Sequence, residues 1–439
     1  MERSATTTDA AEPDATGSSV DHRPPRPPAE HRAQPTRGLF RSLKNYNYRL
    51  WSAGALVSNV GTWMQRIAQD WLVLTELTHH DAAAVGLVTA LQFAPQLLLL
   101  AWTGSAADRC NRRKLLLVTQ ACMGLLAAGL GLLTIAGVVR AWHVYVFAFL
   151  LGCAAAFDAP ARQTFVSEMV GERDLSNAVA LNSANFNSSR LIGPAVAGLI
   201  IAAVGPGWAF LINAASYIAV IASLFAMRTS ELHRRDRPIA EESRLRDGLR
   251  YVRSRPDLRT LLVMIGLFGA LGLNFPVFIS SMAVSVFHLD ARGFGLLTSA
   301  MAVGSVTGAL MAARRERPRL TLIVVSAGLF GVAYILAALM PGALLFGLAL
   351  MLVGVFSQTV TTSSMSLVQV STDASMRGRM MALAMTLVLG GQPLGAPLVG
   401  WVANSLGPRW ALVVGACGGF AAMAVGLTYI RRAPEPGQI

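Results

Sequence analysis

The sequence predicts an all-α membrane protein of twelve transmembrane helices arranged as two six-helix bundles. Three observations carry this prediction. The 439 residues are 54% hydrophobic and only 14% charged, well short of the roughly 25% charged residues of a soluble domain. Runs of about 20 apolar residues, each enough to cross a hydrocarbon core of about 30 Å as a helix, recur along the chain. The second half also repeats the first: Gly193, Gly198, Gly205, Pro206, Trp208 and Ala209 return as Gly395, Gly400, Gly407, Pro408, Trp410 and Ala411 at one offset of about 200 residues. That period is far too long for a solenoid, and a membrane β-barrel would need short alternating segments that this chain lacks.

In chain order, residues 1–37 are rich in Pro, Ala, Thr, Asp and Arg without an apolar run, which predicts a disordered cytoplasmic tail. The first six-helix bundle occupies residues 38–227, entered through a basic amphipathic stretch from Leu39 to Arg49. Its spans are expected near 50–75, 84–106, 115–138, 143–167, 177–204 and 208–227. A polar linker, 228–258, follows, with Leu245, Leu249 and Val252 at the spacing of an amphipathic surface helix. The second bundle, 259–432, holds spans near 259–285, 294–313, 320–340, 342–368, 379–404 and 409–430, and 433–439 form a short cytoplasmic tail. Parallel repeats of six helices suit a transporter whose site lies between the halves.

The formal charge of +13 invites a nucleic-acid reading, but the cations sit in short clusters between apolar runs. Arg109, Arg112, Arg113 and Lys114, the linker, Arg314 to Arg319, and Arg377 all follow even-numbered spans. The opposite loops offer little beyond Arg140, Arg292 and Arg409. This is the positive-inside pattern of a multi-pass protein of the cytoplasmic membrane with both termini cytoplasmic, and no nucleic-acid partner is expected. The four cysteines show no CxxC or metal spacing, so neither a metal nor a disulfide is expected.

Ionisable groups inside spans are costly, which makes them functional candidates. Span 1 carries Ser58, Asn59, Thr62, Gln65, Arg66, Gln69 and Asp70 at steps of three and four, a polar stripe expected to face a water-filled cavity. Asp70 is a candidate proton site; a wetted i,i+4 pair with Arg66 is the competing structural reading. Arg190 lies close to the bilayer midplane in span 5. Asp158 in span 4 has comparable depth, so an Asp158 and Arg190 pair is expected, with Arg162 one turn below as a second cation. Such a pair either locks spans 4 and 5 or responds to protonation. In span 5 Gly193, Pro194 and Gly198 permit close packing and a bend, and Gly395 and Gly400 repeat the packing part. The second half offers uncharged cavity candidates: Asn274, Gln358, Gln369 and Gln392. No GxxxxGK[ST] loop and no nucleophile with its base occur, so neither ATP-driven transport nor an enzyme is expected.

The loop after span 2, GSAADRCNRRK from Gly104 to Lys114, reads GxxxDRxNRR. This closely matches the signature loop of the major facilitator superfamily, which the chain resembles from about 38 to 432. NYNYRLWSAGALVSNVGTWMQRIAQDWLVLTELT, FDAPARQTFVSEMV and RLIGPAVAG narrow the resemblance to the bacterial efflux branch that includes the enterobactin exporter and macrolide and multidrug efflux proteins. The resemblance implies a secondary exporter of small amphipathic molecules, such as a drug, a siderophore or another natural product. It would work by proton antiport and alternating access, with the proton gradient in place of any cofactor, and act as a monomer in the bilayer. It also implies that Gly104, Asp108, Arg109, Arg112 and Arg113 form a gating loop, with Asp108 meeting the start of span 11 as a cytoplasmic latch. The arginine many such antiporters carry early in span 4 is absent from VYVFAFLLGCAAA. An importer or facilitator of the same fold and a non-transporting membrane sensor are the alternatives.

Overall fold

Helix starts in this chain are set by side chains that satisfy the free N–H groups of the first turn. Asn45 accepts from Tyr48 at 3.1 Å ahead of span 1, Asp81 from Ala83 and Ala84 at 2.8 and 3.2 Å ahead of span 2, and Asn111 from Lys114 at 3.1 Å ahead of span 3. Asp290 accepts from Gly293 at 2.9 Å at the head of span 8. Spans 6 and 12 open instead on Pro206 and Pro408, each after a glycine in the left-handed region, Gly205 at φ 91° and Gly407 at φ 100°. A side chain would strain that turn, so the repeated Gly-Pro is explained at both positions.

In this computed structural model the described residues are 40–99, 102–103, 106, 110–233, 245–313, 319–373 and 376–432. Among them the spans are Tyr46–Trp71, Ala82–Leu98, Arg112–Ile135, Ala141–Gly171, Asp174–Val204, Pro206–Ala226, Pro256–Val286, Ala291–Ala313, Leu320–Leu339, Ala343–Ser371, Arg377–Ser405 and Pro408–Arg432. Ten are long and apolar enough to cross a membrane on those grounds alone. Span 1 falls short because of its polar stripe, and span 2 because its helix is described only as far as Leu98. Spans 4 and 5 meet at Gly171, whose φ of 66° breaks the helical path. A further helix, Leu245–Ser254, lies in the linker, and Tyr251 donates to Asp373 at 2.9 Å just past span 10.

Packing repeats with the sequence. Span 1 lies against spans 5 and 6, span 3 against spans 4 and 6, and span 2 against span 4. In the second half span 7 lies against 11 and 12, span 9 against 10 and 12, and span 8 against 10. Between the halves span 2 runs along span 11, and span 5 along span 8. The outside of the bundle is apolar, with Leu125, Leu199, Phe225, Leu344 and Leu394 all exposed, as lipid-facing helices require.

The face carrying the start of span 1 and the basic loops is tied by polar contacts. Ser42 bonds Asn177 through both its N–H and its hydroxyl, at 3.0 and 2.8 Å, while Arg41 pairs with Asp174 at 2.9 Å. Asn47 and Arg228 exchange two bonds, at 3.0 and 2.9 Å. The segment that enters span 1 is thereby fastened to the start of span 5 and the end of span 6.

Candidate functional site

Span 1 delivers its polar residues into the first bundle, where most of the stripe meets protein and not the water-filled space expected. Ser58, Gln65, Gln69 and Asp70 are buried, and Asn59, Thr62 and Arg66 are half-buried. The reason is that spans 2, 5 and 6 bring their own polar groups to it. Asn213 donates to Gln65, Gln92 donates to Gln69 at 3.2 Å, Asn59 donates to Asn185 at 3.4 Å, and the Thr62 and Tyr217 hydroxyls lie 3.4 Å apart. Such a network costs little because buried polar groups find partners.

Arg66 and Asp70 feel each other's charge but do not close into an ion pair among the described residues, so the wetted i,i+4 pair is not formed. Arg66 instead lies against aromatic rings: its Cζ is 4.9 Å from the centroid of Trp63 and 5.5 Å from that of Phe93.

The expected Asp158 and Arg190 pair is not present. Asp158 accepts from Arg162 Nε at 2.9 Å, from Thr119 at 2.8 Å and from Gln120 at 2.7 Å. Depth does not determine rotation about the helix axis, and that rotation decides the partner. The carboxylate of Asp158 points toward span 3, and Arg162, four residues on, shares its face. Arg162 also covers Trp51, with Cζ 5.2 Å from the ring centroid. Arg190 has its Cζ 5.7 Å from Trp63 and forms no ion pair among the described residues. Gly193, one turn further along, sets this meeting: a Cβ there would press on Trp63 and on the Val60 carbonyl, so spans 1 and 5 cross in close contact.

The small residues divide by role. Gly193 packs span 5 on span 1, and Gly395 packs span 11 on Ala270 of span 7, both inside a half. Gly198 meets Ala291 and Arg292, and Gly400 meets Ala82 and Ala83, both between halves. Pro194 lies inside the span 5 helix with its carbonyl against Gly295.

Asn274 does not line a cavity. It is fully buried, donates to the Ala270 carbonyl at 2.7 Å and caps an interruption of span 7 after a π-helical turn, Phe268–Gly272. Gln358 donates to Thr362 at 3.0 Å, Gln392 is half-buried at the break of span 11, and Gln369 is exposed near the end of span 10.

Gly104, Asp108 and Arg109 lie outside the described residues, and with them the latch. Arg112 and Arg113 are described: the first pairs with Glu168 at the end of span 4, and the second donates to the Leu224 carbonyl of span 6 at 2.8 Å.

Sequence reasoning missed one element, the seam at the far face, opposite the basic loops. Asn404 of span 11 accepts from the Ala82 N–H at 2.8 Å and donates to Asp81. The third bond between halves among the described residues joins Ser299 to the Leu191 carbonyl at 3.0 Å, also in the far half of its spans. The signal was in the chain: His79, Asp81, Ala82, Gly86 and Leu87 recur as His288, Asp290, Ala291, Gly295 and Leu296. Gly86 meets Ala396 and Pro397, and Gly295 meets Pro194, so the two seams are copies. Below the span 5 seam, toward the basic face, Ser183, Ala184, Phe186 and Ser188 are exposed.

The chain matches the transmembrane secretion effector family over residues 38–436. It is 27% identical over 356 residues to the staphyloferrin A transporter of Staphylococcus aureus, covering 79% of this chain and 87% of that protein. It is likewise 27% identical over 368 residues to the multidrug efflux pump Tap of Mycolicibacterium fortuitum, covering 80% of this chain and 88% of the pump. In fold it is similar to a bacterial homologue of the human lysosomal transporter Spinster solved inward-facing and unoccupied, with a TM-score of 0.70 at 13% identity over 89% of this chain and 98% of that one. Duplicated six-helix halves, a polar interior and this match lead to one conclusion: the chain belongs to the transmembrane secretion effector family of the major facilitator superfamily, and is a multi-pass membrane transporter, not an enzyme.

Proposed function

We propose that the protein exports small amphipathic molecules from the cytoplasm by alternating access, in exchange for protons. The observation that carries this reading is the bonded far seam with an exposed span 5 wall below it. Three described bonds between the halves lie in the far half of the bundle, and below them span 5 exposes both polar and aromatic surface, Ser183, Ser188 and Phe186, toward the basic face. With the basic loops cytoplasmic, this exposed wall is where cargo from inside would be met. Similarity to a siderophore transporter and a multidrug pump supports drugs or siderophores as the cargo class.

In this reading the protein works as a monomer of the cytoplasmic membrane with both termini inside. Asp70, a buried carboxylate with no ion pair among the described residues, exchanges the proton. Asp158 and Arg162 tie spans 3 and 4 together. The loop of Gly104, Asp108 and Arg109 latches the cytoplasmic side when the far seam opens, a role supported by its match to the superfamily signature. Accumulation of a panel of amphipathic dyes in cells with and without the protein, each with and without a protonophore, tests the reading. Lower accumulation that depends on the protein and is abolished by the protonophore is expected. Equal accumulation across the panel contradicts it.

A further inference from the structure

Four cations described in the first bundle have an answer within the protein. Arg41 pairs with Asp174, Arg112 with Glu168 and Arg162 with Asp158, while Arg113 donates to the Leu224 carbonyl. Arg66 and Arg190 do not: among the described residues neither closes on a carboxylate, although both lie within spans. An arginine within a span is costly, and a ring face returns only part of that cost. A matched pair would have been the economical arrangement, so the unmatched pair points to a counter-charge that arrives from outside the fold.

The geometry makes one site of the two. Trp63 is common to both, with Arg66 Cζ 4.9 Å and Arg190 Cζ 5.7 Å from its ring centroid. Gly193 holds span 5 hard against the Trp63 Cβ and the Val60 carbonyl and so fixes Arg190 one turn away. Asp70 is the acid that interacts with Arg66. With all three groups ionised, two guanidinium groups against one carboxylate leave the group one positive charge in excess. Aromatic surface adjoins the charge: Phe93 stands 5.5 Å from Arg66, and Phe186, exposed on the span 5 wall, meets Trp63 edge-on at 5.8 Å.

We propose that Arg66, Trp63 and Arg190 form an anion-binding subsite, and that the cargo is an amphipathic anion. Its carboxylate or other oxyanion group is held by the two guanidinium groups, and its aromatic or apolar part lies on Trp63 and Phe186. Guanidinium presents planar donor pairs that match such oxyanions in two parallel bonds. The assignment rests on the transport reading for the word cargo, and it concerns binding, whichever ion drives the cycle. It has an energetic consequence: outward movement of an anion is favoured by an inside-negative membrane potential.

The test is binding to the purified full-length protein, read by fluorescence polarisation with two xanthene dyes of similar size, anionic fluorescein and cationic rhodamine 123. Fluorescein is expected to bind at least about ten-fold more tightly than rhodamine 123. Arg66→Gln and Arg190→Gln should each weaken fluorescein about ten-fold or more while leaving rhodamine 123 unchanged or improved, and Arg190→Lys should lie between. Tighter binding of rhodamine 123 by the wild-type protein overturns the proposal without recourse to any variant. So does fluorescein affinity unaltered in both glutamine variants. Intact fluorescein binding alongside absent export in cells would count against export and not against the anion subsite.

Discussion

Asp81 and Asn404 join the two halves of the molecule at the far face, where the Asn404 amide donates to the carboxylate that already caps span 2 and accepts from the Ala82 N–H. His79 and His80, at φ 50° and 73°, deliver the chain into this cap, and an open cavity of about 450 Å³ borders it. The pseudo-symmetric seam lacks the equivalent, because Ala202 stands where Asn404 stands in the repeat. The two seams are copies in packing and unequal in bonding. Asn404→Ala should therefore release one side of the far closure by about 1 kcal/mol, the worth of a hydrogen bond to an ion discounted for its exposure. Spin labels at Thr78 and Ser405 in a background without native cysteines would read roughly a five-fold shift toward the outward-open distance.

Gly198 and Gly400 permit that closure sterically. A Cβ at either would lie 2.6 Å from a backbone oxygen of the other half, Ala291 or Ala82. Gly400→Val should hold the far face open and reduce transport at least ten-fold, while the protein still inserts and remains monodisperse on size exclusion.

Asp158 illustrates a buried ion whose removal leaves its partner stranded. Asp158→Asn should destabilise the protein by about 2 kcal/mol, because the half-buried Arg162 is left without its counter-charge. Thermal unfolding in detergent should show the loss. The double variant Asp158→Asn with Arg162→Gln should recover part of it, as a charge-stranding account requires.

Asp70→Asn should abolish cargo-dependent proton movement in proteoliposomes without lowering the unfolding temperature appreciably, since no ion pair among the described residues is lost with it. Full retention of coupling would remove Asp70 from the mechanism.

Twelve spans, two halves and the family were legible because they depend on composition, periodicity and a repeated Gly-Pro turn, all local or one-dimensional signals. Asp158 shows where legibility ends. Depth follows from counting residues along a helix, but the direction of a side chain about the axis depends on how the helix is rotated against its neighbours, and that turned Asp158 to Arg162 and Thr119. Asn274 failed as a cavity residue for the same reason: a polar residue beside a proline reads equally well as a cap of a broken helix. Trp63 is not legible as a site residue because an aromatic residue in a span usually signifies packing, and only the crossing at Gly193 brings it against two arginines.

The most direct measurement is uptake of an amphipathic dye into inverted membrane vesicles energised to carry an inward-acidic, inside-positive gradient. The account predicts dye accumulation inside vesicles that contain the protein, lost on addition of a protonophore and lost in Gly400→Val. Protein-dependent accumulation that persists unchanged after the gradient is collapsed, or dye movement only in the opposite direction, would contradict it.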